Sequence, residues 1–445
     1  MILGNADTTG AYTARTGLAH VGGLFTVSRK SESGALPLVV MVKTAFTGNA
    51  PEIELLLLCA RLDAEPAAIA RVKELLAGPV NWNYVIVTAH QHRVMPLIWR
   101  TLSRIAPDLV PEEAKNRLQH AYRLNVKRNL FLTSELLQVM DVLVSHDIRT
   151  IPYKGPVLAS VVYGDIALRQ FADLDVIVPV EDVVEARSLL LARGYRPELP
   201  MTDDDLVALF KSEKHITLLK DKEGINLEIH WAITTSNDPI HLAPGLLWND
   251  LKSCSIAGRV VETHSREDLL LIQSIHGAKH GWPWLGWVCD VAEIVRSPRN
   301  VDWRRPIDNA AQLGALRILL LGVSLAKDLL GAEAPRAVME MVGSDSAVSR
   351  LSYQVQARLF SPTPEPFDLG ERERFYMDLR EHAVDKLRVA RQQLRTNLTL
   401  TSRDTESVRL PTSLMGVLYF LRPIRLAWEY GLAPFKRFVL GFFRG

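Results

Sequence analysis

Between residues 173 and 178 the chain reads Asp-Leu-Asp-Val-Ile-Val. Along a β-strand successive side chains point to opposite faces, so Asp173 and Asp175 share one face while Leu174, Val176 and Val178 take the other. Two carboxylates held this close repel each other unless a cation lies between them. The hexapeptide therefore demands a small sheet with an apolar underside and a polar face that collects positive charge.

The flanking segments supply partners for such a strand. Ile148 to Tyr153 is β-compatible and ends at Lys154-Gly155-Pro156. Pro156 suits the first position of a helix, where its missing N–H costs nothing, and Val157 with Val161 and Leu158 with Val162 give that helix a buried stripe. Glu181 to Arg193 reads as a second helix, with acidic residues at its start and Gly194 as an αL cap. His215 to Lys220 and Asn226 to Trp231 flank the turn Asp221-Lys222-Glu223-Gly224, the pattern of a hairpin. In its second strand Leu227, Ile229 and Trp231 face one way; Asn226, Glu228 and His230 face the other. Ser255 to Glu262 is expected to add one short strand.

Helical periodicity surrounds this core. It recurs from Glu52 to Leu76, from Trp82 to Leu102, and over Leu130 to Ser145, where Leu136, Leu137, Met140, Leu143 and Val144 share a face. After residue 265 helices dominate, including Leu269 to Lys279, Leu285 to Val295, Leu316 to Leu330 and Glu371 to Gln392. The fold class is thus α+β, a small mixed sheet flanked by N- and C-terminal helical regions. The expected order is a poorly structured leader over 1–50, a helical region over 51–129, the core over 130–265, a helical domain over 266–400 and a basic aromatic tail over 401–445. Met41 precedes the first convincing pattern, which raises the hypothesis of a misassigned start.

Bulk composition narrows the class. With 52 basic and 50 acidic residues the formal net charge is +2, so dedicated nucleic-acid binding is unsupported. Cys59, Cys254 and Cys289 are odd in number and far apart, which fits neither a disulfide framework nor a zinc knuckle and points to a reducing, cytoplasmic setting. No run of 18 apolar residues and no signal-peptide pattern is found. The tail from Leu414 mixes aromatics with Arg422, Arg425, Lys436 and Arg437, which suits folding back onto the body or a weak membrane-surface contact.

The chemistry follows from which groups converge. Mg²⁺ prefers oxygen ligands and is the natural occupant between Asp173 and Asp175, with Glu228 completing an ion's shell or acting as base. A helix opening after Gly155 offers free N–H groups to a triphosphate, and Lys154 and Arg169 offer charge to the same phosphates. His230 shares a face with Glu228 and either orients that carboxylate, touches nucleotide or makes a structural hydrogen bond. His276 and His280, four apart with Asp290 downstream, have a spacing that serves one metal, but Gly277 stands where an HExxH enzyme has its glutamate. Packing of these histidines with Trp282, Trp284 and Trp287 is the favoured reading, and lining of an acceptor pocket a further one.

The unit Lys154-Gly155, Arg169, Asp173-Leu174-Asp175 and Glu228-Ile229-His230 resembles the nucleotidyltransferase superfamily, although Lys154-Gly155 stands where that superfamily carries Gly-Gly or Gly-Ser. More narrowly, residues 151–178, 225–231 and 276–295 resemble the bacterial proteins grouped as nucleotidyltransferase family 5, in which His90, His92 and Arg93 also match a recurring feature. The resemblance implies a nucleotidyltransferase that moves a nucleoside monophosphate from a nucleoside triphosphate to an unknown hydroxyl or phosphate acceptor. It implies Mg²⁺ on Asp173, Asp175 and Glu228, nucleotide contacts from Lys154, Gly155, Arg169 and His230, and release of pyrophosphate. The competing expectation is a degenerate nucleotide-binding or scaffold protein without turnover.

Overall fold

The apolar side of the 173–178 alternation decides how the core is built. In the computed structural model, which describes residues 50–235, 247–297, 301–361, 369–382, 384, 386 and 387, all described residues fall in one compact unit, Leu38–Gly445. It opens with helices α1 (Ala50–Cys59), α2 (Pro66–Ala77), α3 (Trp82–Gln91), α4 (Met95–Ile105) and α5 (Glu112–Ser145). The core then runs β1 (Ile151–Pro152), α6 (Gly155–Leu158), β2 (Asp173–Ile177), α7 (Val183–Ala192), β3 (Arg196–Pro197), α8 (Asp203–Leu209), β4 (His215–Lys220) and β5 (Ile225–His230). A hairpin, β6 (Lys252–Ile256) and β7 (Arg259–Thr263), leads to α9 (Arg266–His280), α10 (Leu285–Val295), α11 (Arg304–Gln312), α12 (Leu316–Leu330), α13 (Arg336–Ser344), α14 (Ser346–Leu359) and α15 (Leu369–Asp378).

The five strands lie in the order β1-β2-β5-β4-β3, with β2 and β5 parallel and the other neighbours antiparallel. Leu174 and Val176 of β2, Leu227 and Ile229 of β5 and Ile216 and Leu218 of β4 form one buried layer against Leu132, Leu136 and Leu143 of α5 and Val183, Ala186 and Leu190 of α7. That layer is the apolar face read from the alternation. Pro152 has no N–H to donate, which suits its place on the edge strand and keeps β1 shorter than the expected Ile148 to Tyr153.

Several elements differ from expectation. α5 is a single helix of 34 residues that starts well before Leu130 and passes through the expected boundary at 129/130. Its first half buries only Ala114 and Leu118, too thin a stripe to register as periodicity. α6 is one turn, continued over Ala159–Tyr163 as a π-helix. The segment expected as one strand over Ser255 to Glu262 is two strands, because Ala257 (φ 49°) and Gly258 (φ 84°) both take the left-handed conformation of a tight hairpin turn. Alanine there gives no turn signal.

The helix expected over Glu371 to Gln392 is interrupted after Asp378, with helical residues again at Val384, Lys386 and Leu387, and its last part, the leader before residue 50 and the 401–445 tail lie outside the described residues. No helix among the described residues is long and apolar enough to cross a membrane.

Gly277 has a packing role. The chain turns at Gly281 (φ 68°) and Trp282 (φ 54°), folding the Trp282 ring back onto α9. A Cβ at position 277 would lie 2.6 Å from three ring atoms of Trp282, which is itself 1% exposed. Gly277→Ala is therefore expected to overpack this contact and cost about 1–3 kcal/mol. Urea unfolding of the variant measures it, and an unchanged midpoint would show that the ring can move aside freely.

Candidate active site

Pairing across the sheet brings the polar residues together. The parallel register sets Asp175 beside Glu228, Asp173 beside Asn226 and Ile177 beside His230, and neighbours across a sheet share a face. Antiparallel β4 adds His215 beside His230. Asp173, Asp175, Glu228, His230 and His215 thus stand on one facet, opposite the apolar layer.

The hydrogen bonds order this facet. His230 Nε2 lies 3.1 Å from Asp175 Oδ1 and 3.0 Å from Glu228 Oε2, and the ring is fully buried. A ring nitrogen between two carboxylate oxygens must carry the proton and donate it. Tyr153 closes the other side of the ring, edge-on, at a centroid distance of 5.3 Å. Lys154 Nζ donates to Asp175 Oδ1 at 2.9 Å. Burial alone would raise the Asp175 pKa, but Lys154 and the His230 N–H hold it well below the usual carboxylate range. Asp173 is pushed up, first by burial and then by the neighbouring Asp175 charge. Glu228 is held low: burial raises it most, and the His230 hydrogen bond together with the His230 and His215 rings outweighs that.

Gly155 makes the approach of Lys154 feasible. Its φ is +53°, and a Cβ there would sit 3.4 Å from the Asp173 carbonyl oxygen. Glycine at this position lets the 154–156 turn press against β2.

Further basic residues surround the carboxylates. Burial, followed by the nearby charges of Lys279 of α9 and of Lys154, pushes the Lys214 pKa down to about 7. His276 is held well below its ordinary pKa by burial and by Lys154 and His280, and it also feels the Asp175 charge. His215 stacks on His230 at 4.8 Å; burial and the His230 ring push it down to about 4, so it is neutral. Lys214, Lys279 and His215 were not singled out from sequence. Lys214-His215 opens β4 and Lys279 lies inside His276-Gly-Ala-Lys-His280, but nothing local states that they meet.

Arg169 is placed beside this facet, not loose at its rim. Its Nε and Nη2 grip both oxygens of Asp290 at 3.0–3.2 Å, and Tyr163 Oη donates to the same carboxylate at 2.8 Å. Asn129 Nδ2 donates to the Arg169 carbonyl at 2.8 Å and so anchors its loop to α5. Asp290 therefore serves Arg169, and not His276 and His280, whose rings pack with Trp287 at 4.4 and 5.5 Å. His92 Nδ1 accepts the Leu285 N–H at 3.3 Å at the start of α10, and the Arg93 guanidinium lies 3.4 Å from the Trp284 ring centroid. A small cleft between Arg93, Tyr163, Arg169, Gln170, Trp287 and Asp290 adjoins them.

The carboxylates suit a hard dication. Asp175 Oδ2 is buried with no hydrogen-bond partner among the described residues, an acceptor that a metal ion would satisfy. Asp173, Asp175 and Glu228 offer oxygen donors only, the set that Mg²⁺ prefers.

Residues 78–331, more than half of the chain and spanning the whole facet from Lys154 to Asp290, match a family described as uncharacterised nucleotidyltransferase, and the chain belongs to that family. No curated protein and no solved structure matches it.

The Arg169–Asp290 pair is buried on both sides, with side-chain exposures of 11% and 1%. Removing one partner of such a pair strands the other charge, so Asp290→Ala is expected to cost about 3–5 kcal/mol. Chemical denaturation reads the loss directly; a cost below about 1 kcal/mol, the range of exposed pairs, would mean that solvent reaches the guanidinium after all.

Proposed function

We propose that this chain transfers a nucleoside monophosphate from a nucleoside triphosphate to a hydroxyl or phosphate acceptor and releases pyrophosphate. The observation that carries the reading is the shared facet: Asp175 stands beside Glu228 in register, Asp173 lies on the same face, and Lys154 Nζ is 2.9 Å from Asp175. Membership of the nucleotidyltransferase family supports the same chemistry. Asp173, Asp175 and Glu228 are the residues to hold Mg²⁺, which when bound neutralises phosphate oxygens and activates the attacking oxygen.

The chain's own groups divide the remaining work. Lys154 keeps Asp175 ionised and, with Lys279, forms a cationic wall that receives the polyphosphate and stabilises the departing pyrophosphate. Glu228, 25% exposed while Asp175 is 1% exposed, is the carboxylate open to the acceptor and is placed to orient it or take its proton. His230 fixes both carboxylates through one N–H. Arg169 contributes charge beside Asp173 while Asp290 holds its fork. The competing reading, nucleotide binding without turnover, draws on the Lys154–Asp175 ion pair, which by itself neutralises part of the facet.

The two readings part in one assay series. Asp173→Asn and Asp175→Asn are each expected to abolish Mg²⁺-dependent incorporation of labelled NMP from an NTP into acceptors of a cell extract. Wild-type protein that binds NTP yet never incorporates label would establish the binding-only reading. Lys279→Gln removes one charge-assisted phosphate contact worth about 1.5–3 kcal/mol, so calorimetry with a non-hydrolysable NTP should find binding about ten-fold weaker. Unchanged affinity would remove Lys279 from the phosphate wall.

A further inference from the structure

We propose that His215, Glu228 and His230 form a binding site for a transition-metal dication of the zinc class, different in chemistry from the all-oxygen donor set of Asp173 and Asp175. Among the described residues, these three are the group of His, Cys, Asp or Glu whose ligand atoms all lie within 4.8 Å of one another. His230 Nε2 is 3.0 Å and His215 Nε2 3.8 Å from Glu228 Oε2. In a tetrahedral site with metal–ligand bonds of about 2.0–2.2 Å, donors sit roughly 3.3–3.6 Å apart; the two distances to Glu228 straddle that edge, and the two imidazole nitrogens lie within 4.8 Å of each other, so closing the shell draws the rings together.

Rigid elements hold the donors. His215 and His230 are register partners on β4 and β5, and Glu228 is two residues from His230 on the same face. Preorganisation of this kind lowers the cost of assembling a metal shell. The donor types select the ion: two imidazoles and one carboxylate suit zinc, cobalt and their neighbours, whereas Mg²⁺ keeps to oxygen and gives up its waters reluctantly.

Tyr153 packs edge-on against the His230 ring, its Oη 3.4 Å from Nδ1 and 3.3 Å from Nε2, and limits how far the ring can turn. His215 and Glu228 are 26% and 25% exposed, so an ion can enter from solvent and the fourth position stays open to water or a ligand oxygen. The site shares Glu228 with the proposed transfer chemistry but does not rest on it, and its test reads metal rather than turnover.

The probe is Co²⁺ alone, titrated into the full-length, chelator-treated, untagged protein. One equivalent is expected to bind with the intense visible absorption of four-coordinate cobalt, to be displaced by Zn²⁺ and to persist in excess Mg²⁺. His215→Ala and Glu228→Gln should each weaken Co²⁺ binding about ten-fold or more, while His276→Ala leaves it unchanged. Far-UV circular dichroism checks that each variant is folded, and Glu228→Gln, which keeps the side-chain shape, carries the test if His215→Ala does not fold. The proposal is overturned if no such band develops, if Mg²⁺ displaces Co²⁺ as readily as Zn²⁺ does, or if His276→Ala alone removes the band, which would put the metal on α9.

Discussion

Asp175 is a carboxylate with almost no exposed surface, placed between two other carboxylates on the same facet. Burying such a charge costs several kcal/mol unless cations and hydrogen bonds repay it, and adding like charges raises the cost. Much of the architecture follows from that requirement. Lys154 must reach Asp175, which calls for a turn tight enough to need Gly155 against β2. His230 must donate one N–H to two oxygens, which fixes its tautomer and seats Tyr153 against its ring. The α9 helix brings Lys279 and His276 over the facet, and Gly277 on that helix makes room for the Trp282 ring.

The helical flanks are tied into the site as well as attached to the sheet. Arg169 precedes β2, yet its partner Asp290 lies on α10 and its loop is tethered by Asn129 on α5. At the other end of α10, His92 accepts the Leu285 N–H, and Gly286 lets the backbone at His92 approach, since a Cβ there would come within 3.1 Å of the His92 carbonyl oxygen. Helices from both ends of the chain thus brace the cations beside the carboxylates. A charged surface built this way is preorganised by buried contacts, the condition under which electrostatic stabilisation is most effective.

Charge balance on the facet also separates its two halves chemically. Toward Asp173 the donors are oxygens alone; toward His215 they are nitrogens joined by Glu228. A hard and a borderline dication would therefore sort to different ends of one surface, with Glu228 at the junction.

Local pattern was enough to establish the strand carrying Asp173 and Asp175, the β4–β5 hairpin and most helices, because periods of two and near 3.6 record which face of each element is buried. It also indicated that Glu228 and His230 share a face of β5, since alternation does not depend on pairing. It missed the β6–β7 hairpin, where Ala257 adopts a conformation that its identity does not advertise, and the first half of α5, whose buried stripe is sparse. Tertiary structure alone decided that β5 lies parallel to β2 with Asp175 beside Glu228, that Asp290 belongs to Arg169, and that Lys214 and His215 face the carboxylates. Those facts rest on contacts between residues up to 121 positions apart, as in Arg169 and Asp290. No local propensity encodes them, because the energy that selects such contacts, the neutralisation of buried charge, exists only once the chain has closed around it.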